Sequence, residues 1–283
     1  MNNICPPILH RYFSFSNGYD VLNNGTLFFS TIDKYNDPFE LIPAATSDIF
    51  RYPPKEIRAK IAEIAQTEEG KKKIKELEQE LGVDDFIMGA SVIASAFAYP
   101  YLTAAIATGL FLLGLTDETD NLKLFATKYF PVFQSAKSCC FSKVYDSALM
   151  WSHYADGHKG IVLSFDTFVN YWSGEGFHEI TYSSKRIGLP SESTDANEYT
   201  WNMLTHKSAD WSYEQEYRMI KMNMGQNVIP FDPHALKAIR LGLNIDEDKV
   251  KQILQIRDEK YKDTKIYRAR YNQKEYKLDF FEL

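Results

Sequence analysis

What this chain lacks narrows it first. It has three cysteines, Cys5, Cys139 and Cys140, too few and too poorly spaced for a disulfide framework or a zinc site. Two of them are adjacent, and neighbouring cysteines rarely bridge each other. No basic-then-apolar leader is seen, since Met1 to Pro7 is polar and broken by proline. These absences lead to the expectation of a reducing, bacterial-type cytoplasm. Basic charge is short as well. Lys and Arg total 32 against 38 Asp and Glu, a net charge of −6, so a dedicated nucleic-acid binder is not indicated. No HxH or HExxH spacing occurs, and no internal repeat or low-complexity linker interrupts the chain.

One absence is local. No charged residue lies between Asp85 and Asp117. The apolar stretch 86–116 is longer than the roughly 18 residues a membrane span requires. Pro100, between Tyr99 and Tyr101, divides it into halves of roughly fifteen residues, a length that suits buried helices better than spanning ones. The expectation is a helical hairpin buried in the domain or in a homo-oligomer interface; membrane association through 86–116 is the alternative.

What is present fits a single domain with a substantial core: 283 residues, 45% hydrophobic and 14% aromatic. Ile8–Phe13 reads as a strand, Tyr19–Asn24 as a short helix stopped by Gly25, and Thr26–Ile32 as a second strand. Lys55 to Leu81 carries apolar residues at helical spacing among charges. Leu122–Phe133 reads as a helix ended by Pro131. Lys137–Ser142, Ile161–Phe165, Phe177–Tyr182, Tyr213–Met222 and Ala238–Leu243 read as strands. Tyr199–Ser208 and Glu247–Ile256 read as helices, and Lys265–Phe280 as a strand or hairpin. The sum is an α+β fold over 1–283, with a mixed, partly antiparallel central sheet and a helical insertion at 53–130.

Three constellations stand out: Asn36–Glu40 (NDPFE), Leu149–Asp166 (LMWSHYADGHKGIVLSFD) and Trp211–Arg218 (WSYEQEYR). With the Cys140–Ser142 strand, and in this order, they resemble an uncharacterised bacterial family, domain of unknown function twenty-nine seventy-one. That name carries no activity. Asn36 and Asp37 most simply cap a turn, and Trp151 and Tyr154 most simply pack.

Glu214-x-Glu216, placed on one strand, puts two carboxylates on one face of a sheet. They either pair with Arg218, Lys207 or Arg11 as an ion network, or act on a ligand. A late Glu-x-Glu resembles the arrangement in ADP-ribosyltransferases, which also carry an Arg or His on the first strand and a Ser-Thr element on the second. That resemblance implies NAD as the small-molecule partner. Glu216 would stabilise the charge developing on the ribose and Glu214 would orient an acceptor. His10 and Arg11 would hold the cofactor, Ser30 and Thr31 would brace it, and His153, Tyr154 and His158 would line the pocket. Such an enzyme would fit a toxin or phage-defence effector. Two alternatives stand beside it. A metal-assisted hydrolase or nuclease would use His153, His158, Asp156 and the two glutamates, although a spacing of five does not bring the histidines to one helix face. A non-catalytic sensor or membrane-acting effector would use the apolar segment.

Overall fold

The computed structural model describes residues 5–31, 34–37, 39–41, 43–44, 124–169 and 176–283, together with 63, 66–69, 71–72 and 121. The expected hairpin at 86–116, and nearly all of the 53–130 insertion, fall outside the described residues. The chain forms two compact units. One comprises 1–30, 137–182 and 209–283; the other comprises 31–136 and 183–208.

The first unit is built on a nine-stranded sheet, and the α+β class expected from the pattern is what is found. In chain order the strands are β1 (Ile8–Phe13), β2 (Thr26–Phe28), β3 (Ser30–Thr31), β4 (Ala136–Ser142), β5 (Ile161–Asp166), β6 (Phe177–Glu179), β7 (Thr181–Ser183), β8 (His206–Ser208), β9 (Glu216–Met222), β10 (Val228–Pro230), β11 (Leu236–Leu241), β12 (Lys265–Tyr271) and β13 (Leu278–Glu282). The sheet runs β13-β12-β11-β5-β1-β4-β9-β6, with β3 paired to β4 off that path, and β2 and β10 make a separate pair. Strands β11 and β12 run parallel, whereas β5 is antiparallel to both β1 and β11.

Alternation along the strands gives the sheet two chemically different faces. Leu9 and Phe13, Cys139 and Phe141, Ile161, Leu163 and Phe165, and Tyr217 and Met219 all join one apolar core. Helix α1 (Phe15–Asn24) contributes Val21 and Leu22 to that core. Its boundaries follow from its ends: the Ser14 hydroxyl accepts from the Asn17 amide, and Gly25 at φ 64°, ψ 33° returns its N–H to the Val21 carbonyl. The last of the helices, α5 (Glu247–Lys260), adds Val250, Ile253 and Ile256 at a spacing of three. Acids stand in its first turn and bases in its last, matching the helix dipole.

The opposite face is different. A small apolar group (Tyr12, Trp151, Val162, Ala269 and Leu278 among them) lies there beside a set of polar side chains. Helix α3 (Ala148–Tyr154), capped by Ser147 accepting from the Met150 amide, contributes to this face.

In the second unit a π-helical turn (Phe125–Tyr129) leads into α2 (Phe130–Ser135), where Pro131 occupies the first turn and so starts this helix. Helix α4 (Ala196–Leu204) is capped by Asp195 accepting from the Glu198 amide at 2.8 Å. Tyr199 on α4 meets Tyr129 edge-on, the centroids 4.8 Å apart.

Beyond the helix that Pro131 starts rather than ends, four segments depart from the pattern reading. Thr26–Ile32 is not one strand: it breaks at Phe29 into β2, paired with β10, and β3, paired with β4. Tyr199–Ser208 is not one helix: it turns at Thr205 into β8. Tyr213–Met222 is not one strand: Ala209–Glu214 is a 3₁₀ helix, Gln215 sits at φ 42°, and β9 begins at Glu216. Phe177–Tyr182 is interrupted at Ile180, which is 4% exposed and gives its N–H to the Glu216 carbonyl.

Candidate functional site

The polar side of the first unit's sheet gathers most of the chemistry expected from the sequence. At its centre is His10 on β1. Its register partner on β5 is Ser164, whose hydroxyl oxygen lies 2.9 Å from His10 Nδ1. Arg240 on β11 donates from Nη1 to the same hydroxyl at 2.5 Å. A guanidinium cannot accept, so Ser164 accepts from Arg240 and has its own proton to give the imidazole. That arrangement suits a neutral His10. Burial, reinforced by the positive charge of Arg240, pulls its pKa from 6.5 to about 3.

Arg240 is enclosed by rings rather than acids. Its guanidinium carbon stands 3.8 Å from the Tyr145 ring centroid, 5.1 Å from that of Tyr267 and 6.0 Å from that of Phe280. No carboxylate among the described residues pairs with it, and its Nε has no hydrogen-bond partner there. Burial lowers its pKa. Tyr145 also meets His10 edge-on at 5.1 Å.

Two strands from His10 lie the glutamates. Ser142 on β4 is the register partner of His10 and donates to the Glu214 carbonyl at 2.6 Å. Glu214 is 4% exposed and accepts from the Tyr154 hydroxyl at 2.5 Å. Burial, and then this carboxylate, push the Tyr154 phenol above its ordinary value. Glu216 heads β9 and is gripped by Arg218 through two parallel bonds, Nε to Oε1 at 2.6 Å and Nη2 to Oε2 at 3.0 Å. Glu216 is 4% exposed and Arg218 1%. The ion-network reading of Glu216 and Arg218 is therefore realised as a buried pair. Burial, then Glu216, raises the thiol of Cys140, the next residue but one before Ser142.

The Leu149–Asp166 stretch is mainly architectural. Trp151 is fully buried and donates its indole N–H to the Tyr145 carbonyl at 2.8 Å. Asp156, Gly157 and His158 take φ values of 50°, 58° and 67°, three left-handed residues in a row that reverse the chain into β5. Gly160 has no alternative, because a Cβ there would sit 2.0 Å from the Phe13 carbonyl oxygen. Gly242 is held likewise: a Cβ would stand 2.2 Å from the His158 carbonyl oxygen. His158 stacks on Trp151 at 6.3 Å and contacts the Ser152 hydroxyl at 3.1 Å, and burial lowers its pKa. His153 is exposed, near Tyr154 and Tyr213.

The placement of the remaining expected residues is plain. Arg11 leaves β1 on the face opposite His10, donates to the Cys139 sulfur and lies against Phe13 and Phe141. Adjacent strand residues cannot serve one face, so Arg11 does not join His10. Ser30 and Thr31 form β3, where the chain leaves the first unit. Glu214 and Glu216 do not share a strand, since Glu214 ends the 3₁₀ turn. Nor is β9 beside β5, because β1 and β4 lie between. Among the described residues no three His, Cys, Asp or Glu side chains form a metal-holding group, and no helix is long and apolar enough to cross a membrane.

Arg240, Tyr145 and Ser164 were missed from the sequence. A signal existed: in AIRLGL a single arginine alternates with Ile239 and Leu241, both fully buried.

The family described as protein of unknown function (DUF2971) matches residues 150–219, from the middle of α3 into β9. That segment holds Trp151, Tyr154, the left-handed turn and the glutamates, and over it the chain is similar to this family. No curated protein and no solved structure matches the chain.

Proposed function

We propose that this protein cleaves the nicotinamide–ribose bond of NAD, passing the ADP-ribosyl group to an acceptor or to water. The observation that carries this reading is Arg240, a half-buried guanidinium among aromatic rings with no acidic partner among the described residues. A charge in such surroundings is costly unless an anion joins it. The pyrophosphate of a dinucleotide is an anion of suitable geometry for a guanidinium. Tyr145 and Tyr267 offer flat faces for a base or nicotinamide ring.

The same face of the sheet carries the carboxylates. As the C1′–N bond breaks, its electron pair leaves with nicotinamide and positive charge develops on the ribose. Glu216, its orientation held by Arg218, faces that charge; Glu214, oriented by Tyr154, positions the acceptor hydroxyl or water, whose oxygen bonds C1′ and releases a proton. His10, neutral, acts as a hydrogen-bonding group rather than as a cation. His153 and His158 flank the acceptor side. Arg11 faces away, and Ser164 takes the bracing role expected of Ser30 and Thr31. The reading keeps the protein in a reducing cytoplasm, with its cysteines free, and fits an NAD-depleting toxin or phage-defence effector.

The test is incubation of the purified protein with NAD, following nicotinamide release and label transfer to protein and nucleic acid. Release that falls about a hundredfold in both Glu216→Gln and Arg240→Gln is expected. A wild-type protein inert toward NAD across acceptors, or an Arg240→Gln variant of full activity, overturns the proposal.

A further inference from the structure

The NDPFE segment plays no part in the chemistry above, yet it walls a cavity of about 220 Å³ within the second unit. An apolar cavity of roughly 150 Å³ accommodates a benzene ring. This one therefore suits a single six-membered ring with a substituent, and is too small for a dinucleotide. Its acids are already engaged. Asp37, 3% exposed, accepts from the Phe39 amide at 2.9 Å and from the Ser208 amide at 3.4 Å, which fixes the segment against β8. Both carboxylate oxygens of Glu40 are shielded from solvent, and that side chain is engaged within the protein. Lys207, also buried, donates to Asn36 at 3.3 Å.

The cations at the mouth are in a different position. Lys185 and Arg186 are adjacent and exposed, and neither pairs with an acid among the described residues. Arg186 lies over the Phe39 ring at 5.8 Å, a contact that keeps its guanidinium beside the opening. Phe39 is itself 58% exposed, an unusual position for a phenylalanine. Behind it the lining is apolar, from Leu41, Ile187 and Met203. From the mouth inward the order is thus two adjacent cations, a flat ring and an apolar wall.

We propose that this cavity binds a small aryl phosphate monoester, its ring inside and its phosphate at the mouth. A phosphate dianion answers two neighbouring cations, and a guanidinium can bond two of its oxygens at once. A carboxylate would bring one charge to the same pair. The ligand's ring stacks on Phe39 and packs against Leu41, Ile187 and Met203. Asp37 and Glu40 shape the wall and take no part in binding. This site is separate from the NAD reading and does not depend on it.

Titration calorimetry on the full chain tests it, with phenyl phosphate, benzoate, inorganic phosphate and phenol as probes. One-to-one binding of phenyl phosphate is expected, tighter than any of the other three by about tenfold or more. Arg186→Ala weakens phenyl phosphate by about tenfold. Phe39→Ala, at an exposed ring, weakens it by a similar factor and leaves inorganic phosphate unchanged. Arg240→Gln, which removes the cation of the NAD reading, leaves phenyl phosphate binding as it was. The proposal fails if phenyl phosphate does not bind, if inorganic phosphate or benzoate binds as tightly, or if Phe39→Ala and Arg186→Ala both bind phenyl phosphate like the wild type.

Discussion

At His10 a single imidazole sits where its charge cannot be tolerated, and pH dependence follows. It is 6% exposed and shares Ser164 with Arg240. Its folded pKa, about 3, is below the unfolded 6.5. The unfolded chain therefore takes up a proton below pH 6.5 that the folded chain refuses until about pH 3. The stability associated with this residue is intact above pH 6.5 and declines as the pH falls, by about 1.4 kcal/mol per unit across that window. Denaturant midpoints from pH 7 down to pH 4.5 measure this, and His10→Asn flattens the slope relative to the wild type. An unchanged slope in the variant would show that another group dominates.

The buried pair on β9 gives a sharper expectation. Glu216 and Arg218 are each less than 5% exposed and bonded through two contacts. Replacing Arg218 by Ala strands a carboxylate in the interior and destabilises by about 3–5 kcal/mol. Replacing both by Leu and Met removes the charge and the need for it together, so the double variant is more stable than Arg218→Ala in urea melts. The Tyr154–Glu214 bond is smaller in effect: Tyr154→Phe costs about 1.5–3 kcal/mol, the usual range for a hydrogen bond to a charged group. A loss below 0.5 kcal/mol would mean that water replaces the hydroxyl.

Among the elements, the α3–β5 connection is the most constrained. Ser147 caps α3, and its replacement by Ala costs about 1 kcal/mol. Gly160 differs in kind. Its Cβ would lie 2.0 Å from the Phe13 carbonyl oxygen, which cannot yield without disturbing the β1–β5 ladder, and 2.9 Å from the carbonyl oxygen of Ala155 at the end of α3. Gly160→Ala therefore destabilises by more than 3 kcal/mol or prevents folding, whereas Gly157→Ala, at φ 58° with open space around it, costs about 1 kcal/mol. Thermal melts of the two variants separate crowding from backbone strain. The HKGI run can thus be understood from packing alone, without assigning chemistry to each of its residues.

For the molecule as a whole, the two faces of one sheet divide the work. The face bearing Leu163, Phe165 and Ile239 supplies cohesion with α1 and α5. Ile253→Ala on α5, at a fully buried position, removes about 2–5 kcal/mol, read as a lower urea midpoint. The other face accepts polar side chains because the pairing at Glu216 and the Ser164 hydroxyl shared by His10 and Arg240 reduce the cost of burying them. The Ile161–Phe165 run was legible as a buried strand from its composition, and α1 from its capping serine and closing glycine, since local rules act within a few residues. The Glu-x-Glu spacing was legible only as a pair of acids. Its assignment to one strand failed at Gln215, whose left-handed backbone separates the turn carrying Glu214 from the strand carrying Glu216.

The sequence alone determined the α+β class, most of the strands and the chemical inventory of the site, because periodicity, capping and composition are local properties. Tertiary structure decided which members of that inventory meet. His10 and Arg11, adjacent in the chain, face opposite ways; His10, Ser164 and Arg240 meet across three strands, the first two at a sequence separation of 154. Strand order and register are set by which apolar surfaces bury together over long chain separations, and no short window of sequence contains that information.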